Sequence, residues 1–302
     1  MSHRAQEIQP SGIRKFFDLL GEMKDVVSLT VGQPDFVTPW HIRAAAIESL
    51  EAGKTYYTSN AGLPRLREEI ARYLERRFHL CYDPATELLV TVGGSEAIDV
   101  CIRTLVNPGD EVLIPQPSFV CYEPLARMAD SVPVTVVTEE KDGFRLTPEK
   151  LRAAITDRTK LLVMPFPNNP TGAIMKKEEL EAIADVIRDT DILILSDEIY
   201  AEMTYTGGRH VSIASLPGMR ERTVVVNGFS KAYAMTGWRM GYTAAPAPGM
   251  KYFITTFSNA ATPNLTEVCD AEGRVIRTLA DSRTLRDELA ATARPVKEFF
   301  TF

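Results

Sequence analysis

The sequence predicts an α/β fold, a mostly parallel sheet sandwiched by helices. Three observations predict it. Short apolar runs rich in Val, Ile and Leu recur between about residues 87 and 246. Stretches with helical apolar spacing separate most of them. The runs are continuous rather than alternating, as strands buried on both faces require. A chain of 302 residues, 45% of them hydrophobic, is long enough to bury a sizeable core.

The elements follow in order. Residues 1–35 read as an N-terminal arm or small-domain piece ending in VGQPDF, where Gly32 and Pro34 impose a turn. LREEIARYLERRF (66–78) is an amphipathic helix, expected on the surface. ELLVTVG (87–93) is the first buried strand, and SEAIDVCIRTL after it is a helix. DEVLIP (110–115) is the next strand, followed by a helical pattern around Tyr122 to Ala129. PVTVVT (133–138) and KLLVMPF (160–166) flank TPEKLRAAI, a helix with Thr147 as N-cap and Pro148 at its first position. KKEELEAIADVIRD (176–189) has helical spacing. ILILSDE (192–198), TVVVNGF (223–229) and RMGYTAAP (239–246) complete the strands. The main domain is expected over residues 36–248, with an atypical C-terminal tail over 249–302.

Composition narrows the function. With 34 Lys+Arg against 40 Asp+Glu, the net charge is −6, which argues against nonspecific nucleic-acid or anionic-membrane binding. No apolar run is long enough to span a bilayer. The start, MSHRAQEIQPSGIRKFFDLL, has no apolar region followed by a small-residue cleavage site. Cys81, Cys101, Cys121 and Cys269 form no CxxC pair, and four scattered histidines make no zinc pattern. The expectation is a cytoplasmic, reduced protein without a metal.

In open α/β sheets, ligands bind beyond the carboxyl ends of the strands. The polar residues at those positions form a coherent set: Gly93, Gly94 and Ser95; Ser118 and Phe119; Asn168, Asn169 and Thr171 of PNNPTG; Asp197, Glu198 and Tyr200; Ser230, Lys231 and then Arg239. Each has a plainer explanation. Ser95 could simply cap a helix, NNPTG could be an ordinary turn, and Lys231 and Arg239 could be solvated surface charges. Asp197 is harder to dismiss, because a carboxylate ending a buried strand needs a partner. All five features fall on one edge of one sheet.

Their chemistry converges on one ligand. The helix N-terminus at Gly94 and Ser95 presents free N–H groups to a phosphate, and Ser230 and Arg239 can add donors. Phe119 offers a face for an aromatic ring. Asp197 can accept from a protonated ring nitrogen, and Lys231 is an imine-forming amine. Phosphate, aromatic ring, ring nitrogen and aldehyde together describe pyridoxal 5'-phosphate. No GxxxxGK[ST] occurs, and GGSEA is not GxGxxG, so P-loop and dinucleotide sites are excluded.

These residues resemble the class I/II aminotransferases, pyridoxal-phosphate enzymes of fold type I. GFSKAYAMTGWRMGY (228–242) is similar to that family's lysine attachment motif, including the spacing to Arg239. VGQPDF, YYTSNAGLPRLREEIA, VGGSEAI, PNNPTG and SDEIY are similar to family blocks in family order, and cover most of the chain to about Pro246. The blocks look closest to the aromatic and dicarboxylic amino-acid subgroup. The resemblance implies that Lys231, Asp197 and Tyr200 are catalytic. Lys231 would hold the cofactor and shuttle a proton, its pKa lowered by nearby cations and the imine. Asp197 would keep the pyridine nitrogen protonated. Asn169 and Tyr200 would bond the ring's phenolic oxygen, Phe119 would stack on the ring, and Gly94, Ser95, Ser230 and Arg239 would hold phosphate. Tyr57 would reach the partner subunit's phosphate, which implies a homodimer. Gly32 and Asn169 would contact an amino-acid or 2-oxo-acid substrate.

After GYTAAP the pattern departs from the family. Its C-terminal small domain, with the arginine that clamps the substrate carboxylate, is expected to be missing. TEVCDAEGRVIRTL and KEFFTF in the tail instead resemble part of the β-propeller of dipeptidyl-peptidase-IV-like peptidases. The expected function is amino-group transfer between an aromatic or dicarboxylic amino acid and a 2-oxo acid. The alternative is a truncated or chimeric cofactor-binding domain with little or no transaminase activity.

Overall fold

Seven of the apolar runs become strands of one sheet: β1 (Leu88–Thr91), β2 (Glu111–Gln116), β3 (Val132–Val137), β4 (Thr159–Met164), β5 (Leu193–Asp197), β6 (Thr223–Gly228) and β7 (Gly241–Ala244). The computed structural model describes position 8, residues 32–247 and two further short strands, β8 (Glu267–Cys269) and β9 (Val275–Thr278). The sheet order is β1-β7-β6-β5-β4-β2-β3. The pairs β2–β3, β2–β4, β4–β5 and β5–β6 are parallel, whereas β7 runs antiparallel to both β1 and β6. Six strands therefore point one way and β7 the other, so the sheet is mostly parallel, as expected.

Six α-helices lie among the described residues: α1 (Trp40–Glu51), α2 (Pro64–Phe78), α3 (Gly94–Leu105), α4 (Tyr122–Met128), α5 (Pro148–Ala154) and α6 (Lys177–Ile187). Thr147 caps α5 as the sequence predicts, its hydroxyl accepting from the Lys150 N–H at 3.4 Å. Strand alternation assigns the faces. Ile194 and Val225 pack with one side's helices: Ile194 in a core with Leu180, Ile183 and Ile187 of α6, Val225 in one with Ile70, Leu74 and Phe78 of α2. α2 is thus a half-buried helix rather than a wholly surface one. Its stripe at positions 70, 74 and 78 follows the helical period, and truncating Leu74 to Ala would cost about 2–5 kcal/mol. The amphipathic α3 buries Ala97, Ile98, Cys101 and Ile102 beside β1, β5, β6 and β7.

Two boundaries matter for the site. RMGYTAAP was expected to be a strand from Arg239, but β7 begins at Gly241 and Arg239 precedes it in the left-handed region, with φ 53°. The run 87–93 shortens to Leu88–Thr91, which frees Gly93 to turn into α3.

The chain divides into two units, Met1–Ile254 and Thr255–Phe302. In the second, β8 and β9 pair antiparallel. The expected arm over 1–35 lies outside the described residues except for position 8 and residues 32–35. The expected resemblance of the tail to a β-propeller fragment lies outside them too, apart from β8 and β9. Among the described residues, no helix is long and apolar enough to cross a membrane.

Candidate active site

The topology gathers the candidate residues at one edge. The carboxyl ends of β1, β2, β4, β5 and β6 share it, and because β7 is reversed, its beginning lies there too. This is how Arg239, eight residues beyond Lys231, returns to the turn between β1 and α3. An ideal Cβ on Gly93 would lie 2.9 Å from the Arg239 guanidinium carbon. Gly93 has φ 85° and ψ 169°, a conformation essentially restricted to glycine. Gly241 is needed for the same approach, since a Cβ there would lie 2.5 Å from the Gly93 carbonyl carbon.

Ser95 is not the helix cap. Gly93 occupies that position with no side-chain cap hydrogen bond, Gly94 is the first residue of α3, and Ser95 is the exposed second. The N-terminus of α3, with its unsatisfied N–H groups, thus lies beside the Arg239 guanidinium, a combination suited to a phosphate. Arg239 Nη1 donates to the Thr236 carbonyl at 3.1 Å, which anchors the side chain from its own loop. Ser230 is buried directly beyond β6.

Asp197 ends β5 with 6% exposure. Its Oδ2 accepts from the Tyr122 hydroxyl at 2.7 Å and its Oδ1 from the Ile199 N–H at 3.2 Å. It forms no ion pair among the described residues, and burial raises its pKa above the ordinary value while both hydrogen bonds oppose the rise. A buried carboxylate with spare acceptor capacity and no cation fits a positively charged ring N–H. The neighbouring Glu198 points to the other face, as strand alternation requires. Its Oε1 accepts from Ser196 and Ser212 hydroxyls at 2.8 and 2.6 Å, and its Oε2 lies 3.1 Å from His210 Nε2.

Lys231 Nζ donates to the Gly32 carbonyl at 2.5 Å and lies 5.4 Å from the centre of the Tyr200 ring. Burial, and then the Arg239 charge, hold its pKa below the ordinary lysine value. Nearby cations were expected to be the cause, whereas desolvation is the larger one. Asn169 hydrogen-bonds the Tyr200 phenol, whose pKa is raised by burial and by the Asp197 charge. PNNPTG divides its labour. Asn168 shapes the turn, its Oδ1 accepting from the Thr171 N–H and hydroxyl at 3.2 and 2.8 Å, while Asn169 reaches Tyr200.

Phe119 is partly exposed, and its ring stands edge-on to Tyr122, with centroids 6.1 Å apart. Beside it in sequence, the Ser118 hydroxyl is buried without a hydrogen-bond partner among the described residues. The segment carrying Gly32 is tied to the lysine loop through Thr38, whose hydroxyl donates to the Ala234 carbonyl at 2.6 Å and accepts from Trp238 Nε1 at 3.2 Å. Tyr57 is fully exposed and touches none of these groups. Two contributors escaped the sequence. Thr38 carried no signal, and Tyr122 read as one more apolar position of a helix, although it follows Phe119 by three residues.

A half-buried amine, a buried carboxylate with no cation beside it among the described residues, a helix N-terminus next to an arginine and an exposed aromatic face gather at one edge of an α/β sheet. The chain matches the family described as aminotransferase class I and II over residues 24–298, a span that runs on into the tail. It is 56% identical over 247 residues to a putative aminotransferase, YugH, of Bacillus subtilis, and 47% identical over 247 residues to an aspartate aminotransferase of Pyrococcus abyssi. Both alignments cover 82% of this chain and 64% of the relative, so the chain spans less than two thirds of the length of the curated relatives it matches. The crystal structure of an aromatic aminotransferase from Pyrococcus horikoshii aligns with a TM-score of 0.76 and 39% identity, covering 91% of this chain and 73% of that one. The chain belongs to the class I and II aminotransferases.

Proposed function

We propose that this protein transfers an amino group between an aromatic or dicarboxylic amino acid and a 2-oxo acid, using pyridoxal 5'-phosphate held at Lys231. The observation that carries this reading is the buried Asp197 carboxylate, with no cation beside it among the described residues, at the same edge as the Lys231 amine and the Arg239–α3 turn. The relatives named for aspartate and aromatic amino acids support the substrate class.

The residues present fit the cofactor. The N-terminus of α3 at Gly94 and Ser95, with Ser230 and Arg239, would hold its phosphate. Phe119 would cover one face of its ring, Asp197 would hold its pyridine N–H, and Asn169 and Tyr200 would bond its phenolic oxygen. Bound there, the cofactor supplies an electron sink for charge left at a substrate Cα. Lys231 Nζ, disposed to lose its proton by burial and by Arg239, would take the proton from the substrate Cα and deliver it to the cofactor carbon that carries the transferred nitrogen. Ionised Asp197 would keep a proton on the ring nitrogen, and the Tyr122 and Ile199 hydrogen bonds favour that ionised form. The Gly32 backbone, within reach of Lys231, would orient the substrate carboxylate.

A homodimer belongs to the same proposal. α1 buries none of its residues, and Trp40, Ile47 and Leu50 on it are exposed together with Phe36, Val37, Tyr56 and Tyr57. So much exposed apolar surface in one stretch suits a second copy of the chain, toward which Tyr57 would extend. The domain division into an arm over 1–35, a cofactor domain over 36–248 and a separate tail over 249–302 is likewise part of this reading. So is a cytoplasmic location.

The test is direct. The full chain is mixed with pyridoxal 5'-phosphate, and a visible absorbance band absent from Lys231→Ala is expected. Amino-group transfer from glutamate, aspartate or phenylalanine to a 2-oxo acid is then followed by chromatography. A chain without a lysine-dependent band refutes the cofactor role. A band with no transfer from any amino acid refutes the transferase role and leaves a cofactor-binding domain.

A further inference from the structure

We infer that Tyr122 is a positioning residue that sets both the charge of Asp197 and the attitude of Phe119, so that one side chain organises the nitrogen-binding and ring-covering parts of the site. This inference rests on the cofactor reading above and adds to it a residue outside the expected set.

The geometry carries it. Tyr122 opens α4, is 2% exposed, and has its hydroxyl 2.7 Å from Asp197 Oδ2. The other face of the relationship is aromatic. The same ring stands at 84° to Phe119, an edge-to-face arrangement of the kind that fixes ring orientation beyond simple burial. α4 begins just beyond the loop that follows β2, and Asp197 ends β5, so the two carriers are 75 residues apart and meet only in the folded sheet. Phe119 needs such a brace because it stands partly exposed on that loop.

The chemistry of the bond has a sign. Burial pushes the Asp197 carboxyl toward its neutral form. Among the described residues, the groups that face it are Tyr122 from α4, Cys121 just before α4, and Glu198 and Tyr200 on its own segment, none of them a cation. Only hydrogen bonds are left to favour the charge, and the phenol supplies the shorter of the two. Tyr122 itself is held far above the ordinary tyrosine pKa by burial and by that charge, so it remains a donor throughout the working range. A neutral Asp197 would present one hydrogen-bond donor where an acceptor is needed and would lose its attraction for a cationic ring.

Tyr122→Phe separates the two roles, because the ring that braces Phe119 stays while the donor goes. Tyr122→Leu removes both. The full chain is prepared with 13C-carboxyl aspartate, the Asp197 signal is identified by its loss in Asp197→Asn, and the cofactor-free protein is titrated. In Tyr122→Phe the signal is expected to titrate at higher pH than in the parent. Affinity for pyridoxal 5'-phosphate, read from the Lys231-dependent band, is expected to fall roughly tenfold, with the fall largest on the acid side. In Tyr122→Leu the affinity falls further at every pH. An Asp197 signal that titrates identically in the parent and Tyr122→Phe overturns the inference. So does an affinity loss that is the same at all pH values in Tyr122→Phe, which is the pattern of a merely structural residue. If the parent shows no lysine-dependent band, the cofactor reading fails instead, and the carboxyl titration alone decides whether Tyr122 governs Asp197.

Discussion

Arg239 and Gly93 occupy each other's space: the guanidinium lies where a side chain on Gly93 would begin, 2.9 Å from its carbon to the ideal Cβ. The contact exists because β7 runs against the rest of the sheet and starts at the edge where β1 ends. Gly93→Ala would have to move Arg239 and adopt a backbone conformation that side chains resist. It is expected to cost about 1–3 kcal/mol in urea unfolding. It should also weaken phosphate and pyridoxal 5'-phosphate binding, and equal affinities for parent and variant in calorimetry would contradict this.

Lys231 should react as an unusually acidic amine. Burial and Arg239 both favour its neutral form, so its labelling by an acylating reagent is expected to rise at lower pH than that of exposed lysines. Arg239→Gln should move the midpoint upward but leave it below the ordinary value, because desolvation is the larger cause. The sign for stability follows: a buried ammonium destabilises the fold at low pH, and the penalty disappears as pH rises from the folded pKa to the ordinary 10.5. Mass spectrometry of labelled peptides across pH measures the midpoint.

Glu202 ties α2 to the segment after β5. It accepts from the Tyr73 hydroxyl at 2.7 Å and from Arg77 Nε at 2.8 Å, with Arg77 Nη2 at 2.5 Å on its other oxygen. Arg77 is the main cause of its lowered pKa. The unfolded chain therefore takes up the proton first, and the stabilisation is whole above the ordinary 4.5 and lost as pH falls through the folded value. Glu202→Gln is expected to flatten this part of the stability–pH curve; a curve of unchanged slope would show that the pair contributes nothing.

Glu198 is fully buried among Ser196, Ser212 and His210. Glu198→Ala would strand the Ser196 and Ser212 hydroxyls and leave His210 without its 3.1 Å carboxylate contact, and a loss of about 3 kcal/mol or more is expected by chemical denaturation. A near-neutral result would mean that the carboxylate's own burial cost cancels its bonds.

Self-association should depend on α1. Trp40→Asp and Leu50→Glu place charges on a helix with no buried residue, and sedimentation is expected to show a shift from dimer toward monomer. A parent chain that sediments as a monomer would remove the basis for the role of Tyr57.

Much of the sheet was legible because its strands other than the largely exposed edge strand β3 are buried on both faces, and such strands need continuous apolar runs whatever their neighbours. Asp197 was legible for the converse reason, as an ionisable group placed where only a partner makes it tolerable. α1 was not, since a helix that buries nothing within its own chain shows no apolar stripe of the kind α2 has. Arg239 was assigned to a strand because it adjoins an apolar run, and only backbone geometry places it in the left-handed turn before β7.

By itself, then, the sequence determined the class of fold, the edge that carries the chemistry and the residue types gathered there, because local pattern and polarity are properties of neighbouring residues. The tertiary structure decided which of those residues meet. Tyr122 finds Asp197 across 75 positions, Thr38 braces the lysine loop across 196, and a reversed strand returns Arg239 to the start of α3. Those encounters depend on strand order and direction, which hydrogen bonding between distant segments sets and no local pattern records.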